Sequence, residues 1–224
     1  MGYTWLLTLA LAAQTAGGPP QPAFKYPQVD LQGRLYRSVF APGPGTLSSG
    51  DIATLPENLR SRLSRFLVQR AGFTSHYESA PADIESVARD AKRRAIEQSV
   101  TALIESPDAA APALAFVKGA PIAYEWEGMP DGPLAESAYA EQTLKEQPTT
   151  LLAPYLYLFI AQRQRAAAEA ADRTQDKAVT TAALAKYRDY LSRARSAPDP
   201  IFALIADDME RMPYVYVRKS NDKN

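Results

Sequence analysis

A chain of 224 residues has room for one large domain or two small ones, and its 25 basic and 25 acidic side chains leave no net charge to offer a nucleic acid. It holds no cysteine, which excludes disulfides, thiol nucleophiles, thiolate zinc sites and c-type haem attachment. A folded body of roughly 170 residues buries enough surface to do without such staples.

The chain opens on the apolar run Trp5 to Ala13, followed by small residues and Gly17-Gly18-Pro19-Pro20. This run is shorter than the roughly 20 apolar residues that span a bilayer, so no stable membrane anchor is expected. It has the form of a secretory signal peptide over residues 1–16, although Met1 to Thr4 carry no basic residue. Export to the periplasm, or secretion from a bacterial cell, is the expectation. Residues 17–48 follow with prolines at 19, 20, 22, 27, 42 and 44 and glycines at 17, 18, 33, 43 and 45. Such punctuation cannot sustain a helix and predicts an extended linker or arm.

A helical body is expected over 49–213. Pro56 suits a first turn, where its missing N–H costs little, and Leu59, Leu63, Phe66 and Leu67 form one stripe over 55–71. A second stripe runs over 81–105 through Ile84, Val87, Ile96, Val100 and Leu103, and Pro107 ends it. An alanine-rich helix at 109–117 precedes a loop at 119–133. Helices at 134–144, 151–161, 182–194 and 201–212 follow. The tail, 214–224, is expected to fray. No segment offers convincing paired strands, so the fold class is all-α.

The stretch 134–200 resembles tetratricopeptide-type repeats. Pro148 leads into the helix from Leu152 to Gln162, Ala183 and Tyr187 stand as a small-then-aromatic pair, and Pro198-Asp199-Pro200 marks the next turn. Pro148 and Pro198 lie 50 residues apart, against about 34 for the family, so longer helices or a bulged connection around 166–181 would take up the difference. The resemblance implies stacked antiparallel helical hairpins, a concave face that binds a peptide or protein, and no catalytic residue.

Reactive groups are few. The one histidine, His76, excludes a multi-histidine metal centre and reads as a loop residue. No glycine-rich phosphate loop is present, and no cofactor or metal is expected. Glu105-Ser106 at a helix end is similar to the catalytic Glu-Ser pair of helical lytic transglycosylases. That resemblance implies a second reading, a periplasmic cell-wall carbohydrate hydrolase or lyase in which a single carboxyl group serves as acid and base.

The loop Tyr124-Glu125-Trp126-Glu127-Gly128-Met129-Pro130-Asp131 sets two aromatics among three carboxylates. Aromatic anchors beside acids suit a binding surface. The other reading is that Tyr124 and Trp126 staple the loop to the core. Residues 121–150 hold six acids against Lys145 alone, which would draw a basic peptide or protein. Tyr155 and Tyr187 line either a groove or the core; in a core their hydroxyls need partners, and Arg163, Arg165 and Arg188 are close in sequence. The leading expectation is an exported, non-enzymatic interaction module.

Overall fold

The computed structural model describes residues 49–63, 84–123, 126, 129–211 and 214. The expected signal peptide, the arm, His76, Tyr124, Glu125, Glu127 and the tail beyond Tyr214 lie outside them. Among the described residues the structure is all-helical, as the stripes predict. The helices are α1 (Ser49–Ala53), α2 (57–63), α3 (Ile84–Leu103), α4 (Ala110–Gly119), α5 (Asp131–Glu146), α6 (Ala153–Arg173), α7 (Lys177–Arg195) and α8 (Pro200–Arg211). A 3-10 turn, Pro107–Ala109, sits before α4. None of these helices is long and apolar enough to cross a membrane.

The core forms where the one-sided stripes meet. Ile96, Val100 and Leu103 of α3 pack with Phe116 and Val117 of α4, with the first half of α6, and with Ile201, Phe202 and Ile205 of α8. Phe116 meets Phe159 edge-on, with ring centroids 5.3 Å apart, a favoured aromatic arrangement. Leu59 and Leu63 carry α2 into the same cluster. Arg62 pins α2 beside them: its buried guanidinium donates to the Leu103 carbonyl and, at 2.5 Å, to Asp199 in the turn before α8.

The helix α6 is the axis of the fold. It runs on through 162–173, and only Thr174 to Asp176 connect it to α7. Every residue from Leu158 to Ala171 is buried, so neighbours cover it on all sides. Its second half is alanine-rich (Ala166, Ala167, Ala168, Ala170, Ala171), and such small side chains let the surrounding chain come close.

The turn between α6 and α7 is a Schellman motif. Asp176 N–H bonds the Ala171 carbonyl at 2.9 Å and Gln175 N–H bonds the Asp172 carbonyl at 3.0 Å. Gln175 takes φ 65°, the left-handed conformation usually left to glycine. Asp176 then caps α7 by accepting from Val179 N–H at 3.0 Å.

Candidate functional site

The 119–133 loop is tied inward by polar groups from three helices. Trp126 is only 6% exposed, and its indole Nε1 donates to Glu136 Oε1 at 2.9 Å. Glu136, in the second turn of α5, also accepts from Ala123 N–H at 3.2 Å and from Arg163 Nε of α6 at 3.0 Å. Lys92 of α3 donates to the Ala123 carbonyl at 2.7 Å. Both cations flank the indole, Lys92 Nζ at 5.5 Å and the Arg163 guanidinium at 5.6 Å from its ring centre. The fit is close: a Cβ on Gly132 would stand 2.8 Å from Trp126 Cδ1, so a larger residue there would displace the indole.

Arg163 is fully buried and lies 3.6 Å over the Phe159 ring. Its Nη1 donates to Gln162, while Nη2 has no hydrogen-bond partner. Gln164 repeats the pattern: its amide donates to Ser137 Oγ at 2.7 Å and its Oε1 is unmet. The centre of α6 therefore carries a polar band, Gln162 to Arg165, inside the fold. Ion pairs this deep gain Coulomb energy but lose hydration of similar size, so the net stability they add is small.

The site residues expected from sequence divide accordingly. Trp126 is an internal staple, the packing alternative of the two readings. Asp131 is exposed in the first turn of α5, where a carboxylate favours the helix dipole. The acidic stretch is partly spent within the chain: Glu136 holds Arg163, and Glu141 holds Lys186 at 2.8 Å. Tyr155 and Tyr187 are buried at 3% and 2% exposure and line no open face. The Tyr187 hydroxyl donates to the Met209 carbonyl at 2.9 Å, and Arg165 Nη1 donates to the same carbonyl at 2.8 Å. Burial, which disfavours the phenolate, pushes the Tyr187 hydroxyl up to about 12 despite the nearby Arg165 charge. Burial likewise raises Tyr190 to about 12, helped by the Glu141 charge.

A different tyrosine, Tyr157, is half-buried and packs on the core with its ring 6.1 Å from that of Tyr190. Tyr157 lines a groove of about 430 Å³ between the start of α6 and the end of α7, with Ala153, Pro154, Arg193, Ala197 and Pro198 around it. Leu151, two residues before Ala153, is 48% exposed. Arg193, the one charged lining residue, is held by Asp189 at 2.8 Å and stands 4.9 Å from the Tyr190 ring centre.

Glu105 does not line this groove. It is exposed in the segment after α3, 3.8 Å from Arg62 Nε. Among the described residues no cluster of carboxylates and histidines is spaced to hold a metal ion. The interior places of Lys92 and Glu136 were not expected from sequence; of the arginines expected to serve buried tyrosine hydroxyls, Arg165 Nη1 donates to Tyr187 at 3.4 Å, whereas Arg163 pairs with Glu136. The available signal was register: Pro133, Glu136, Ser137 and Ala140 recur at helical spacing and form the buried face of α5, but two of the four are polar. Comparison of the chain with protein families, with characterised proteins and with solved structures gives no match.

Proposed function

We propose that this is an exported, non-enzymatic helical module of tetratricopeptide-like kind that docks a segment of another protein. The observation that carries the proposal is the Tyr157 groove, an open, mostly apolar recess beside the exposed Leu151. Apolar recesses with one aromatic wall are where short partner segments gain contact area. The α6–α7 pair and the turn Pro198-Asp199-Pro200 into α8 support the repeat-like reading, and the Trp5–Ala13 run supports export.

The test uses the full chain produced in its native host, with a photo-crosslinking phenylalanine analogue replacing Tyr157 and, as control, the exposed Leu114. A protein crosslinked from position 157 alone is then purified and titrated against wild type and Tyr157→Ala. The expected result is tenfold or more loss of affinity, measured well below the melting temperature of Tyr157→Ala, which falls somewhat because the ring also packs on the core. Salt separates the sites. Apolar docking in the groove holds its affinity from low to physiological ionic strength. A basic partner drawn to the acidic stretch 121–150 weakens, because exposed charges are screened beyond about 8 Å. Equal affinity for Tyr157→Ala refutes the groove. Release of soluble saccharide from cell-wall material by wild type but not by Glu105→Gln replaces the module with the carbohydrate-cleaving alternative.

A further inference from the structure

We draw no further inference here: the strongest candidate, the buried cluster of Lys92, Trp126, Glu136 and Arg163 where α3, α5 and α6 meet the 119–133 loop, belongs to the site already described and serves there to hold that loop.

Discussion

Replacing Glu136 tests the interior most directly. Glu136→Ala removes the acceptor of three hydrogen bonds, from Ala123 N–H, Trp126 Nε1 and Arg163 Nε. Arg163, fully buried, then keeps its charge with no carboxylate among the groups described around it, Gln162 and the Phe159 and Trp126 rings. Breaking a buried ion pair from one side costs about 3–5 kcal/mol, because the remaining charge stays dehydrated and uncompensated. At about 2–4 °C per kcal/mol for a domain of this size, the melting temperature should fall by roughly 10 °C. The companion variant is Glu136→Leu with Arg163→Met, which removes both charges and keeps apolar volume beside Phe159. Replacing both members of a buried pair is often neutral or stabilising, so the double variant should be more stable than Glu136→Ala. Urea and thermal unfolding followed by far-UV circular dichroism on wild type, Glu136→Leu, Arg163→Met and the double variant would complete the cycle, with Glu136→Ala measured beside it. The reasoning fails if Glu136→Ala costs less than about 1 kcal/mol, the range of exposed pairs. It fails equally if the double variant loses as much as the two single effects summed.

Three further outcomes follow from the same structure. Trp126→Ala should destabilise the fold by about 3 kcal/mol or more, since it empties a buried site and strips a donor from Glu136; a melting curve unchanged from wild type would return the indole to the surface. Gln175→Gly should stabilise by about 1 kcal/mol by relieving a left-handed residue at the end of α6, and a lower urea midpoint would contradict that. Tyr187 is neutral in the fold up to about pH 12 but ionises near its ordinary 10 once unfolded, so its contribution is intact below pH 10 and lost as pH rises from 10 to 12. The loss amounts to roughly 3 kcal/mol across that window. Urea unfolding from pH 9 to 11.5 should show a shallower decline for Tyr187→Phe than for wild type; parallel curves would rule out this source.

Some of this architecture is written in short-range order. The apolar spacing through Ile96, Val100 and Leu103, the proline at 107 and the pair Pro198-Asp199-Pro200 fix where helices run and stop, because helix period and proline geometry are local properties. The all-α class follows from them. The extent of α6 does not: after Ile160 its stripe dissolves into glutamine, arginine and alanine, and a one-sided pattern has no meaning for a helix covered on every side.

The interior polar groups were decided by tertiary structure alone. Glu136 reads from sequence as one more acid on a solvated stretch, and it is internal because Arg163, 27 residues away, arrives on the facing helix to neutralise it. Trp126 and Tyr187 have the same dual character. Their rings favour burial anywhere, but their N–H and O–H groups permit it only where an acceptor waits, Glu136 for one and the Met209 carbonyl for the other. Local sequence determined the apolar faces; whether a polar side chain joined them depended on partners that only the folded chain brings within about 3 Å.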